Sequence, residues 1–191
     1  VTPKFVVFLN GPPRSGKDTA AAHLAKREGW RACGFAHELK EMTHRLYGLA
    51  AAFDHYEDMK DVALGQFGGV SPRRAYIAVS EHLMKPLHGA DVFGHMWLRR
   101  WEREHAPFAS FAAVPDSGFR PEAEAVLASV GRGNALLIRL HREGCTYAND
   151  SRGYISPPDV RTVDIENCGP VAYLHRCIDE AIAEHGPAVA G

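Results

Sequence analysis

The sequence has no Cys-x-x-Cys pair, no apolar run of membrane-spanning length, no internal repeat and no low-complexity tract. Each absence excludes something. Cys33, Cys145, Cys168 and Cys177 are too scattered for a thiolate metal knuckle or a disulfide framework. They read as free thiols in a reducing compartment. Without a membrane-length run or a leader-like segment, the expectation is a soluble, cytoplasmic protein with no membrane partner. An excess of one charge is missing too: 22 Lys and Arg meet 23 Asp and Glu, for a formal net charge of −1. No global basic field draws the chain to polyanions, although a local patch stays open. The 11 histidines show no metal-ligand spacing. A chain of 191 residues is long enough for one domain with a real core and a small insertion.

What is present is concentrated near the start. The apolar run Phe5-Val6-Val7-Phe8-Leu9 feeds Gly11-Pro12-Pro13-Arg14-Ser15-Gly16-Lys17-Asp18-Thr19, and a helix-forming stretch follows. Strand, glycine-bounded loop and helix are the context that a phosphate-binding loop requires, and the spacing Gly-x-x-x-x-Gly-Lys is met in full. Glycines at both ends let successive backbone N–H groups turn inward as an anion nest. The helix adds the positive end of its dipole. Lys17 then reaches the terminal phosphates of a nucleoside triphosphate, and Arg14 adds a second cation. The residue after the lysine is Asp18 and the hydroxyl comes one place later at Thr19, so either is a candidate ligand for a magnesium ion.

Periodicity predicts alternating strands and helices. Strands are expected at Lys4–Asn10, Arg31–Ala36, Phe108–Val114, Asn134–Leu140 and Arg161–Ile165. Helices are expected at Lys17–Glu28, Glu38–Leu49, from Pro72 to about Lys85, Asp91–His105, Pro121–Val130 and Val171–Glu184. Leu39, Met42, Leu46 and Leu49 form the apolar stripe of the second helix, and Ser71 caps the third with Pro72 at its first position. This is an α/β fold: a five-stranded parallel sheet with helices on both faces. The stretch from about 38 to 105 is too long for a crossover and reads as a helical insertion that holds the acceptor. The stretch from about 142 to 158, with Gly144, Gly153, Pro157 and Pro158, reads as a mobile loop.

Ligands in such sheets bind outside the carboxyl ends of the strands. Asp116 stands at one of those ends, where a carboxylate holds magnesium or takes the proton of an attacking hydroxyl; the competing reading is a turn or helix cap. Arg142 and Arg152 suit a lid closing over phosphates, against the alternative of a solvated loop. On the acceptor side the candidates are His37, Lys40, Arg73, Arg74, Lys85 and Arg120, set against ordinary solvated helix faces. Trp97 and Trp101, one turn apart, read as helix packing.

The loop, together with Phe35-Ala36-His37-Glu38-Leu39-Lys40, Val114-Pro115-Asp116, Arg139-Leu140-His141-Arg142 and Asp150-Ser151-Arg152, resembles the bacteriophage deoxynucleoside monophosphate kinases. The resemblance touches most of the chain in order. It implies a single P-loop kinase domain over 1–191, with ATP and Mg2+ as donor system and a deoxynucleotide as acceptor. In a phage-encoded protein the compartment is the host cytoplasm. The family's Asp-Thr-Arg run after the third strand reads here Asp116-Ser117-Gly118-Phe119-Arg120, with the arginine displaced. That leaves a second acceptor open, because related phage kinases phosphorylate the hydroxymethyl group of 5-hydroxymethyluracil in DNA during hypermodification. A non-catalytic nucleotide-binding protein is the third reading, and oligomeric state, a homodimer included, is left open.

Overall fold

The computed structural model describes residues 1–50, 53–148 and 150–187. Residues 51 and 52 of the expected insertion and residue 149 of the expected lid lie outside the described residues. The strands are β1 (Phe5–Asn10), β2 (Trp30–Ala32), β3 (Phe111–Val114), β4 (Ala135–His141) and β5 (Arg161–Glu166). The helices are α1 (Lys17–Leu24), α2 (Ala36–Leu46), α3 (Pro72–Ala78), α4 (Lys85–His88), α5 (Val92–Arg100), α6 (Arg120–Val130) and α7 (Val171–His185).

Every residue of β1 is buried. A strand buried on both faces belongs at the centre of a parallel sheet. The sheet order is β2-β3-β1-β4-β5, and each pairing is parallel. Period-two alternation sends Phe5, Val7 and Leu9 to one face, against Leu24 of α1 and Leu174, Ile178 and Ile182 of α7. Val6 and Phe8 go to the other, against Phe93 and Trp97 of α5 and Val126 and Leu127 of α6. Trp97 and Trp101 stack at 5.7 Å inside this second core, and the Trp97 indole donates to the Cys33 carbonyl at 2.9 Å, so both are packing residues. The chain passes from β1 out to β2 and returns through β3. The crevice at the carboxyl ends of β1 and β3 is therefore the switch point, and the phosphate loop opens onto it.

Several boundaries differ from those read in the sequence. β2 stops at Ala32 rather than at 36, because Phe35 and Ala36 turn into α2 and are held there by Asp116. β3 begins at Phe111 rather than at 108, since the preceding helical segment runs to His105 and its carbonyl still binds the N–H groups of Phe108 and Ala109. Leu46, expected on an apolar stripe, is 61% exposed. The long helix from Pro72 is not uniform: Val79–Met84 is wound as π-helix before α4. Pro86 explains it, because a proline lacks the N–H that closes an i→i−4 bond, and the ladder widens one turn upstream. The insertion has its own small core of Tyr56, Phe67 and Ala75. Among the described residues no helix is long and apolar enough to cross a membrane.

Candidate functional site

The phosphate loop is a strained turn held from behind. Gly16 has φ 106° and Arg14 φ 67°, and the latter is uncommon for a residue with a side chain. Behind Gly16 the Asn167 side chain donates to the Ser15 carbonyl at 2.9 Å. Ser15 N donates to Pro12 O at 3.2 Å. Among the described residues the N–H groups of Arg14, Gly16, Lys17, Asp18 and Thr19 have no partner within the chain, and buried Ser15 Oγ has none either. Unpaired donors at the start of a helix are what an anion nest offers. Lys17 is buried, with its Nζ 2.7 Å from the Pro12 carbonyl. Burial, and then the nearby Arg152, hold its ammonium below the usual lysine range.

Asp116 projects from the turn after β3. Its two carboxylate oxygens accept the N–H groups of Phe35 and Ala36, each at 2.8 Å, at the entry to α2. So it caps a helix other than the one that follows it in sequence. The carboxylate comes so close to Gly34 that a β-carbon there would lie 2.6 Å from Oδ2, which is why position 34 is glycine. Burial raises its carboxyl above the usual range, against the pull of the two N–H bonds. Each oxygen keeps a second lone pair, the capacity that a metal-bound water or an acceptor proton needs.

The segment 142–158 is tied to the end of β1 near its middle. Asn10, fully buried at the end of β1, donates through Nδ2 to Ser117 O (2.7 Å) and Gly153 O (2.9 Å), has Tyr147 Oη at 3.1 Å from the same nitrogen, and accepts from Ile155 N at 2.9 Å. Ile155 is itself in the core. Arg152 lies along Gly118 and forks onto Asp150, Nε to Oδ1 at 2.9 Å and Nη2 to Oδ2 at 2.6 Å. Lys17 and Asp116 both feel its charge. The exposed Arg142 reaches the Arg14 carbonyl at 3.5 Å, at the lip of the phosphate loop. Arg139 and His141 point elsewhere, to Asp164 on β5.

The acceptor-side candidates divide. Lys40 is near enough to influence Asp116 and pairs with Glu57 at 3.0 Å. Arg73 influences Asp150 and pairs with Asp61. Lys85 binds Glu81 at 2.6 Å and lies 3.9 Å over the Phe119 ring. Arg74 is exposed on α3. Arg120 turns to Glu124 on the outer face of α6. His37 sits on the other side of α2, among Arg100, Glu41, Glu104 and His105, with burial holding it below the usual histidine range. Asp18 is exposed and Thr19 half-buried at the start of α1. Among the described residues no three His, Cys, Asp or Glu side chains converge on a metal. A magnesium ion here would be held mainly by phosphate and water, with Thr19, Asp18 or Asp116 in support, which fits a loop built around anion donors.

Sequence reasoning missed Asn10 and Glu122. Asn10 is the polar residue that ends an apolar strand. Glu122 occupies the same stripe of α6 as Val126 and Val130, an i, i+4, i+8 series that marks it as inward-facing.

No family model matches the chain, and no curated protein matches it. Among solved structures, a sugar kinase from a Janibacter species is similar at 13% identity and TM-score 0.45, over 99% of each chain. A gluconokinase from Sinorhizobium meliloti follows at 12% and 0.44, over 96% of this chain and 94% of that one. A shikimate kinase from Aquifex aeolicus follows at 14% and 0.38, over 98% of this chain and all of that one.

Proposed function

We propose that the chain is an ATP-dependent phosphotransferase of the P-loop kinase type, passing a phosphoryl group to a deoxynucleotide acceptor. The observation that carries this reading is the strained loop with its unpaired N–H groups and buried Lys17, faced across the crevice by Asp116 and Arg152. Phosphoryl transfer asks the protein for positioning and for neutralisation of charge on the moving group, and these are the parts on hand. ATP supplies the phosphoryl group, and magnesium offsets charge on its phosphates. Lys17 exchanges the neutral Pro12 carbonyl for an anionic oxygen. Arg152, held by two of its donors on Asp150, offers the others to the transferred group, where such contacts are worth most. Asp116 supports the metal's water or receives the acceptor proton.

A deoxynucleoside monophosphate is the first acceptor to test. One observation favours the second, a hydroxyl such as the hydroxymethyl group of a modified uracil in DNA. Arg73, Lys40 and Lys85 are each already paired with a carboxylate, so a second phosphate meets few free cations on that side. Incubation with labelled ATP and either mixed deoxynucleoside monophosphates or hydroxymethyluracil-containing DNA separates the two. Labelled product from neither, with tight ATP binding, would identify a nucleotide-binding protein without transfer activity.

A further inference from the structure

Glu122 lies in the first turn of α6 and is 4% exposed. Among the described residues neither a hydrogen bond nor an ion pair reaches its carboxyl. It is not one of the sealed, unbonded polar atoms of the interior, which are Ser15 Oγ, Glu38 Oε1, Trp101 Nε1 and His105 Nε2. Its oxygens therefore keep an opening, and the groups around it say where. Asp116 comes from the end of β3, Arg152 from the loop after β4, and Glu81 and Lys85 from the π-helical segment and α4. From α5 it meets Gly94, which packs against the Glu122 backbone carbonyl and carries no charge. Arg152 lies against Gly118 and Lys85 over the Phe119 ring, so both reach the turn that leads into α6, and Asp116 and Arg152 also act on Lys17 of the loop.

Among the described residues no cation forms an ion pair with Glu122, and Lys85 and Arg152 each hold another carboxylate. Lys85 donates to Glu81 Oε1 at 2.6 Å, which also takes the Ser80 hydroxyl at 3.0 Å. Arg152 is forked onto Asp150. A buried carboxylate left without a cation is costly, so the group stays protonated instead. Burial, and then Asp116, push the Glu122 carboxyl up to about 8. A neutral carboxyl presents one donor and one acceptor side by side. π-helical turns are frequent at functional sites, and this one sets Glu81 and Lys85 beside it.

We propose that Glu122 binds the acceptor directly, pairing its carboxyl with a neutral group that carries a hydrogen-bond donor beside an acceptor. A neutral partner suits a neutral carboxyl, since it brings no new charge into a buried place. The matching group is a nucleobase edge with N–H next to C=O, or a sugar hydroxyl. The inference rests on the phosphotransfer reading, and deepens it by separating what the acceptor shows to Glu122 from the atom that receives the phosphoryl group.

The test is steady-state transfer from labelled ATP to thymidine 5′-monophosphate, its N3-methyl analogue, hydroxymethyluracil-containing DNA and D-gluconate. Glu122→Ala is expected to raise the acceptor KM roughly 10-fold or more, with the ATP KM unchanged. Glu122→Gln keeps a donor beside an acceptor and is expected to restore wild-type KM. In the wild type the acceptor KM rises as pH passes about 8, where the donor is lost, and in Glu122→Gln it stays flat. Discrimination against the N3-methyl analogue that vanishes in Glu122→Ala identifies a base edge. Transfer to gluconate with the same Glu122 dependence identifies a sugar hydroxyl. An unchanged acceptor KM in folded Glu122→Ala, or a pH profile of Glu122→Gln that matches wild type, overturns the inference while phosphotransfer stands. If Glu122→Ala does not fold, the pH profile of Glu122→Gln decides alone. No transfer to any probe overturns the phosphotransfer reading and the inference with it.

Discussion

Replacing Glu122 by glutamine is expected to stabilise the protein at neutral pH and to do nothing in acid. The residue is buried without a cation, and its carboxyl titrates near 8 in the folded chain against a usual value of 4.5. A raised carboxyl pKa means that folding holds a proton which the unfolded chain releases. Below about pH 4.5 both states are protonated and nothing is lost. Between 4.5 and 8 the unfolded state gains stability with each pH unit, by about 1.4 kcal/mol. At pH 7 the interval crossed is 2.5 units from the usual value, so the wild type gives up about 3 kcal/mol that an uncharged glutamine does not. At pH 5 the same arithmetic leaves under about 1 kcal/mol.

The assay is urea unfolding of wild type and Glu122→Gln at several pH values between 4 and 8, with the slopes checked for equality so that midpoints report stability. In a domain of this size the gap at pH 7 corresponds to a rise in melting temperature of roughly 6–12 °C. A gap that widens steadily with pH supports a buried neutral acid. A gap that is absent, or constant across the range, means that Glu122 ionises like a surface carboxylate. The inference drawn from its environment then fails before any enzyme assay. Stabilisation on removal of a buried acid is what a binding residue shows when function and fold pull in opposite directions.

Lys17→Ala is expected to lower transfer by orders of magnitude with the fold intact, since among the described residues its Nζ holds only a loop carbonyl; labelled ATP turnover with a circular-dichroism control checks it. Arg152→Ala is expected to depress kcat more than ATP affinity, because the contact tightens as charge develops on the moving group; a loss confined to ATP KM would place the arginine in ground-state binding instead. Asp116→Asn removes the charge and turns one acceptor into a donor against Phe35 or Ala36 N–H, so a loss of about 1–3 kcal/mol should accompany a fall of ~100-fold in turnover. Full activity with lowered stability would reduce Asp116 to a helix cap. Asn10→Ala severs the ties from β1 to 117, 147, 153 and 155 and should open the 142–158 segment to protease, which limited digestion reads directly.

The phosphate loop was legible because its requirement is local: two glycines, a lysine, a strand before and a helix after. The central strand and the two-sided sheet were legible for a similar reason, since an unbroken apolar run has nowhere else to go. What failed to show in the sequence depends on neighbours distant along the chain. Asp116 looked like the cap of the turn it sits in or a metal ligand, and only the pairing of β2 with β3 brings Phe35 and Ala36 to its oxygens. The same contact cut the second strand short. The glycines and prolines of 142–158 do not reveal that one buried amide from β1 binds its middle. Arg120 is an acceptor candidate as the displaced arginine of the Asp-Thr-Arg run, and its Nε donates to Glu124 one turn on in α6, a pairing that only the helix start at 120 sets.

The paired cations of the crevice carry a consequence for how a triphosphate is received. Arg152 spends Nε and one hydrogen of Nη2 on Asp150, and a guanidinium has five N–H donors in a rigid fork. The pairing therefore fixes the direction of the remaining donors instead of consuming the charge. The Asp150 carboxyl, held below its usual range first by that bond, stays ionised as the anchor. Asp150 is in turn oriented by the N–H of Arg152 at 3.0 Å, and the following residues by Asn10 at the end of β1. β1 is also the strand that launches the phosphate loop. The strand that leads into the Lys17 loop thus also anchors the chain on the far side of Arg152. On the phosphotransfer proposal, a shift in the 147–155 segment would move the arginine without touching the loop, and Asn10 would act as a positioning residue through Gly153 and Ile155.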